Sequence, residues 1–477
     1  MSASLLPIAP LIVLCQVLHR VTFDSLPIEL QDEIFFLCLS PFPRLSVREA
    51  PIVLARVCRA WRSTVLSIPR LWSSFEVEIQ GLGASGLLHD TRLMRRMKLW
   101  LGRSSSCPLC IRLVYDPVGQ ASDDRSTPLL GVLVPESRRW RNAHFTLPAV
   151  NLAMLQPFPP NSFPTLRSLT LKVTRVRSSP SDLPLNISAM KAMNIPWHQL
   201  TSLDLQLEPS NLPTFDEGLD ILSKTVNLKR GTLQLECTRD RRNIQWDKCS
   251  LPTLETLQLI LQGVVSSTAD RPEVSLAQFL NALCLPKLRV LHLEWLVNSN
   301  MGPLSSIHAD LPTFLQASAE TLRELKMTYL PITENDLLDC LSQVPRLTHL
   351  DLRFALNQGA NDPITNRLLV ACTIPSPAVS AGIACRTQPY PEAPLLPRLE
   401  HVNLQCHGRF YANTTLITLI QSRWEFGKST GEGQCVGRPL RCFRVLSMKG
   451  VPSEVEKYIK LWHEEGLEID IQCLVVR

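Results

Sequence analysis

The sequence predicts an α/β chain in which a small helical hairpin near the N-terminus is followed by an array of short strand-and-helix units. Three observations carry that expectation. Proline is abundant at 37 of 477 residues and glycine scarce at 19, a texture of many short elements joined by stiff turns. Apolar residues at helical spacing gather between Pro27 and Pro69. Beyond Phe75 a leucine spacing of i, i+3, i+5 keeps returning.

The length allows about two or three ordinary domains or one elongated array. With 45% hydrophobic and 19% charged residues the chain has enough apolar surface to fold. A net charge of +6 is too weak a field to demand nucleic acid or a membrane as partner. Three basic runs, Arg92/Arg95/Arg96/Lys98, Arg138/Arg139/Arg141 and Arg239/Arg241/Arg242, read as solvated faces because no aromatic residues interleave them. The 15 cysteines are odd in number and sit in apolar runs such as Leu37-Cys38-Leu39 and Leu283-Cys284-Leu285. They read as free thiols of a reducing compartment, hence a cytoplasmic or nuclear protein, and the sequons at Asn186 and Asn413 then carry no weight. The apolar stretch Leu5 to Leu18 contains Pro7 and Pro10, and its 14 residues are too few for a membrane-spanning helix. No Lys or Arg precedes it, which leaves a cleaved leader as the lesser alternative.

Pro27 suits the first turn of a helix, and Leu30, Ile34 and Leu37 follow on one face at i, i+4, i+7. Pro41, Pro43 and Ser46 interrupt the chain between Ser40 and Ala50. Pro51 then opens a second helix with Leu54, Val57, Cys58, Trp61 and Val65 on its stripe, ended by Pro69 and closed by Leu71 and Trp72. Some fifty residues of this kind make a weak domain alone, so a packing partner is expected.

The leucine spacing gives nine copies: Leu166/Leu169/Leu171, Leu200/Leu203/Leu205, Leu228/Gly231/Leu233, Leu254/Leu257/Leu259, Leu288/Leu291/Leu293, Leu322/Leu325/Met327, Leu347/Leu350/Leu352, Leu399/Val402/Leu404 and Phe443/Leu446/Met448. The last two residues of each copy, two apart, point to one side of a strand, and the first sits on the turn entering it. Charge placement also repeats, as in Thr165-Leu-Arg-Ser-Leu, Lys287-Leu-Arg-Val-Leu and Thr321-Leu-Arg-Glu-Leu. Helical fillers are expected at Asp220 to Val226, Leu276 to Leu283, Leu337 to Val344 and Leu416 to Arg423. Steps between copies are 34, 28, 26, 34, 34, 25, 52 and 44 residues, near or above the leucine-rich repeat class, and the last two need insertions. The stretch Leu356 to Pro397, rich in proline, reads mostly as a long loop. The competing account is a set of unrelated strands in an ordinary mixed sheet.

Catalytic signatures fail in context. Gly427-Lys428-Ser429-Thr430 resembles the end of a phosphate loop, but Ser422 stands where that loop needs glycine, and no strand leads in. The same stretch through Gly431 matches a nucleophile elbow only formally and reads as a glycine-rich surface loop. Cys107 and Cys110 have metal-ligand spacing without a second pair and read as core cysteines, and Cys406-His407 cannot form a dyad by adjacency. The reading is therefore of a chain that is not an enzyme and uses no cofactor or metal.

Leu26-Pro27-Ile28-Glu29-Leu30, Glu33-Ile34-Phe35, Val57-Cys58-Arg59-Ala60-Trp61-Arg62 and Leu71-Trp72 stand in the order found in the F-box, which the stretch Leu26 to Trp72 closely resembles. Leu99-Trp-Leu-Gly-Arg-Ser and Pro135-Glu-Ser-Arg-Arg-Trp-Arg look like the pieces that follow it in a large fungal, basidiomycete-type group with irregular leucine-rich repeats. The connection Ser40 to Ala50 is longer than usual and leaves the second helix's packing angle open. The resemblance implies an N-terminal extension over 1–22, an F-box over 23–75, a connecting segment with the first strands over 76–160, a repeat array over 161–450 with a loop insertion at 355–397, and a cap over 451–477. It further implies an adaptor that docks a Skp-type subunit of a cullin-RING ubiquitin ligase and holds an unknown protein substrate on its repeats. Residue by residue, Leu26, Pro27, Leu30, Ile34, Phe35, Leu54, Val57, Cys58, Trp61, Leu71 and Trp72 are the candidates for the docking face or its support, and the sequence does not separate contact from core. Two alternatives stay open: a hairpin that only docks onto the repeats, and a repeat scaffold with no ligase link.

Overall fold

The computed structural model describes residues 23–80, 86–116, 126–148, 151–152, 155, 158–174, 194–238, 246–265, 271–299, 310–356, 362–375, 394–429 and 440–474. The apolar stretch Leu5 to Leu18, the sequon at Asn186, the basic run Arg239 to Arg242 and residues Thr430 and Gly431 lie outside them. The chain is mixed α/β, with eleven α-helices and a preponderance of parallel strands among the described residues. It divides into two compact units, Met1–Leu166 with Thr174–Asp182, and Arg167–Val173 with Leu183–Arg477.

The first unit opens with α1 (Ile28–Leu37), whose first N–H donors face the carbonyl of Pro27. The second helix does not start at Pro51 as the sequence suggested. A single 3-10 turn covers Leu54–Arg56, Cys58 is fully extended with φ −152° and ψ 175°, and α2 runs over Arg59–Ser67. The Cys58 thiol accepts the Trp61 N–H at 3.3 Å, so this residue caps the helix from outside it. The apolar run from Leu54 to Val65 thus belongs to two elements with a break between them.

A 3-10 turn at Pro69–Trp72 leads into β1 (Ser74–Gln80), α3 (Gly86–Arg103), β2 (Leu109–Asp116), α4 (Thr127–Leu133) and β3 (Trp140–Leu147). The three strands pair in parallel in chain order, which requires the helical crossovers between them. Alternate residues supply the core: Phe75, Val77 and Ile79, then Ile111, Leu113 and Tyr115, then Ala143, Phe145 and Leu147. Trp72 is fully buried against Trp100 of α3, with ring centroids 4.8 Å apart, and donates its indole N–H to the Val65 carbonyl at 3.0 Å. Arg139 is not a solvated member of its basic run. It is half-buried and reaches the Cys107 carbonyl at 3.1 Å and Glu136 at 2.8 Å.

The second unit contains β4 (Ser168–Val173), β5 (Ser202–Gln206), α5 (Phe215–Lys224), β6 (Arg230–Glu236), β7 (Cys249–Ser250), β8 (Thr256–Val265), α6 (Pro272–Ala282), β9 (Leu283–Cys284) and β10 (Val290–Ser299). It continues with α7 (Asp310–Gln316), β11 (Glu324–Thr328), α8 (Glu334–Ser342), β12 (His349–Arg353), α9 (Asn366–Ala371), β13 (His401–Cys406), α10 (Asn413–Ser429), β14 (Cys442–Ser447), α11 (Ser453–Glu464) and β15 (Glu468–Cys473). β7 and β9 form a short pair of their own. The other ten strands make a parallel sheet in strict chain order.

Registry places the expected leucines side by side. Leu169, Leu203, Gly231, Leu257, Leu291, Leu325, Leu350, Val402 and Phe443 form one inner row across the strands. Leu171, Leu205, Leu233, Leu259, Leu293, Met327, Leu352, Leu404 and Val445 form the next. These positions are buried, Gly231 included, and the residues between them are half-exposed except for buried Thr170 and exposed Arg444, so each strand has one covered face and one more open face. At Gly231 a Cβ would come within 3.1 Å of Leu228, which is why the leucine row is interrupted there. The residue after each first leucine donates its N–H to its counterpart one strand back, Lys229 to Thr201, Glu255 to Lys229, Arg289 to Glu255 and Arg323 to Arg289 among them, at 2.8–2.9 Å. The expected helical fillers overlap α5, α6, α8 and α10, each of which starts three to five residues earlier; the first three helices end one or two residues before the expected end, and α10 runs on to Ser429.

Two expectations are corrected. The ninth copy is Leu440/Phe443/Val445, not Phe443/Leu446/Met448, because Phe443 pairs with Val402 while Leu446 pairs with Gln405 on the open face. The stretch 355–397 is not all loop: it holds α9, capped by Thr365 and burying Leu368 and Leu369. Arg423 of α10 fastens this segment. Its guanidinium is fully buried and donates to the carbonyls of Cys372 at 2.7 Å, Leu395 at 2.9 Å and Leu396 at 3.1 Å. Burial draws its pKa down to about 10, still well above neutrality, so the group stays charged and uses its donors on backbone oxygens.

Candidate docking surface

The hairpin sorts its candidate residues into two sets. Phe35, Leu71 and Trp72 are wholly buried and Leu54 nearly so, which makes them core. Phe35 packs against Phe23 at 4.9 Å and Trp61 at 5.0 Å, and Phe23 meets Trp61 at 4.7 Å, so one aromatic cluster joins α1 to α2. Trp61 and Leu26 are half-buried, and the Leu26 carbonyl accepts from the Gln31 amide at 2.8 Å. Pro27, Leu30, Ile34, Val57 and Cys58 are exposed.

The stripe Leu30, Ile34 and Leu37 shares a helix face, as its spacing required, yet that face looks outward with Leu37 75% exposed. The buried side of α1 is carried by Gln31 and Phe35, about a quarter-turn away. Not among the docking candidates, though large, apolar and exposed, are Ile28, Phe36, Val53 and Leu66, and Leu37, which the sequence places on the stripe. Nine of the nineteen exposed large hydrophobic residues among the described residues lie between Ile28 and Leu66, so the exposure is concentrated rather than scattered. The signal available was the density of apolar residues on a ten-residue helix, more than one face of it can bury. Charge frames the surface: Arg70 pairs with Glu33 at 2.6 Å and lays its guanidinium 3.9 Å over the Phe36 ring.

In the second unit the open face of the sheet is polar and half-exposed. Ion pairs cross it, Lys172 with Asp204 at 3.0 Å and Arg444 with Glu468, and His292 Nε2 lies in hydrogen-bond contact with Glu324 at 2.8 Å. His349 and His401, in register on adjacent strands, stack with centroids 4.2 Å apart. Burial and the neighbouring His349 hold His401 below the usual histidine range.

The remaining candidates are placed as follows. Gly427, Lys428 and Ser429 are not surface loop but the last turn of α10, an end whose carbonyls repel a phosphate. Cys107 and Cys110 are half-buried before and within β2, and burial pushes the Cys110 thiol up. Cys406 is buried on β13 with its pKa raised to about 12, mainly by burial, and stays a thiol. No helix among the described residues is long and apolar enough to cross a membrane. Compared with models of known protein families and with curated proteins, the sequence matches none.

Proposed function

We propose that the protein is a non-catalytic substrate receptor of a Skp/cullin/F-box ubiquitin ligase, with α1, α2 and their connection docking a Skp-type adaptor and the strand array binding a protein substrate. In this reading the second unit is an irregular leucine-rich-repeat array, its parallel strands and leucine rows being what that architecture requires. The observation that carries the proposal is the outward apolar stripe Leu30, Ile34 and Leu37, with Ile28, Phe36 and Val57, in the part of the chain that resembles an F-box. A helix face of this kind gains by seating in a partner's groove. Phe35, Leu54, Leu71 and Trp72 support that face from beneath rather than touching the partner.

The test is capture of purified Skp-type adaptor by the full chain. Leu30→Glu/Ile34→Glu is expected to lose capture by more than about tenfold while melting as the wild type does, because neither side chain belongs to the core. A well-folded wild-type chain that captures no adaptor overturns the proposal.

A second reading has its own observation: the hairpin is sewn to the first strand, with the Glu76 N–H on the Pro43 carbonyl at 2.9 Å and Arg44 paired to Glu78 at 3.1 Å. On that reading the hairpin is a cap for a binding scaffold with no ligase role. Deleting Leu26 to Trp72 then unfolds the remainder, and a stable truncated chain excludes it.

A further inference from the structure

The repeated arginine after the first leucine, singled out by sequence and unused so far, has a structural consequence at the end of the sheet where the strands begin. Arg289 and Arg323 occupy that position in successive repeats, with their backbones bonded at 2.8 Å. In the next two repeats the cation moves to the residue before the leucine, as Arg346 and Arg398, whose turns lie on adjacent strands. The turns follow one another along one rim, with the Thr348 N–H on the Arg323 carbonyl at 2.8 Å and the Glu400 N–H on the Thr348 carbonyl at 2.9 Å, so the four arginines stand on neighbouring turns; in keeping with this, burial and then Arg346, Arg398 and Arg289 lower the Arg323 pKa.

Among the described residues one carboxylate pairs with a member of this group. Glu320 pairs with Arg346 at 2.6 Å and lends its backbone carbonyl to Arg323 at 3.0 Å. Glu400, on the next strand, is committed to Arg441 at 3.1 Å. Arg289 and Arg398 are exposed, and neither side chain has an ion-pair partner among the described residues. Earlier repeats do not build such a group: the same rim carries Thr201, Lys229 and Glu255, and Arg167 is turned onto the Gln199 carbonyl at 3.2 Å.

We infer that Arg289, Arg323, Arg346 and Arg398 form a binding site for a phosphoryl group, borne by a polypeptide or by a small polyanion. A monoanionic carboxylate neutralises one guanidinium, as Glu320 already does, and leaves the rest repelling one another. A phosphoryl dianion with three acceptor oxygens answers several at once, and guanidinium forks fit its geometry.

The experiment is calorimetric titration of the full chain at about 150 mM salt, where diffuse surface charge is screened. The probes are tripolyphosphate, a phosphoserine peptide and the same peptide with glutamate at that serine. Binding of either phosphorylated probe, weakened about tenfold or more in Arg289→Gln/Arg398→Gln, is the expected result. Uptake of both places the recognition in the anion itself, and uptake of the peptide alone assigns a polypeptide source. The substituted side chains are exposed and unbonded, so an unchanged melting temperature verifies that the variant is folded. No binding of either phosphorylated probe, undiminished binding by the double variant, or equal binding of the glutamate peptide overturns the inference.

Discussion

α1 and α5 are both ten-residue helices with leucines at helical spacing, and they use them in opposite directions. On α5, Phe215, Leu219 and Leu222 turn inward, and a capping box of Thr214 and Glu217 fixes its start. On α1, Leu30, Ile34 and Leu37 turn outward, no side chain caps the first turn, and Gln31 and Phe35 face the core. The same periodicity therefore marks a face that folding has satisfied in one unit and a face that folding leaves over in the other. α5 buries its leucines within its own unit, whereas α1 leaves Leu30, Ile34 and Leu37 exposed.

Four measurements sharpen or break that contrast. The largest effect is expected from Trp72→Ala, which removes a buried ring, its contact with Trp100 and its bond to the Val65 carbonyl. Denaturant titration should show a loss of about 3–5 kcal/mol. Next comes a matched pair. Leu222→Ala should cost about 2–5 kcal/mol and Leu37→Ala less than about 0.5 kcal/mol, and equal losses in the two would erase the distinction between the helices. Thr214→Ala removes half of the α5 capping box and should lower stability by about 1 kcal/mol, with Thr214→Ser restoring most of it.

The smallest effect concerns pH. Burial, then His349, depresses the His401 pKa, with Arg441 acting in the same sense and Glu400 and Glu468 against it. The unfolded chain then takes up the proton more readily, so this group makes stability rise with pH through the region around 6.5 and fall as pH drops through it. Melting temperatures between about pH 5 and pH 8 should show a shallower fall on acidification for His401→Gln than for the wild type. A steeper fall would reverse the sign argued here.

The sequence made the strands legible because leucines two apart on a half-covered strand leave a strong mark, and eight of the nine copies stand in the expected register. The ninth failed for an instructive reason. Leu440/Phe443/Val445 and Phe443/Leu446/Met448 satisfy the same spacing rule, and only pairing with Val402 and Gln405 distinguishes them. At the hairpin, periodicity told which side chains share a side of α1 but not whether protein covers that side, so buried and exposed residues stood together among the candidates. The break at Cys58 was hidden because its thiol looks like one more apolar position on a continuous stripe. α9 was hidden by the prolines around it, although Ile364, Leu368 and Cys372 repeat at i, i+4, i+8. The four arginines of the sheet rim were visible singly. Their convergence depends on strands far apart in sequence lying next to each other.

The clasp made by Arg423 has a consequence for how this chain tolerates change. One side chain grips the backbone at Cys372 and again at Leu395 and Leu396, so the two ends of the intervening stretch are held at a fixed spacing by α10 itself. Neutralising Arg423 would release both anchor points at once and leave the carbonyls it holds without their donors, so the backbone at Cys372 and at Leu395 and Leu396 is expected to loosen together.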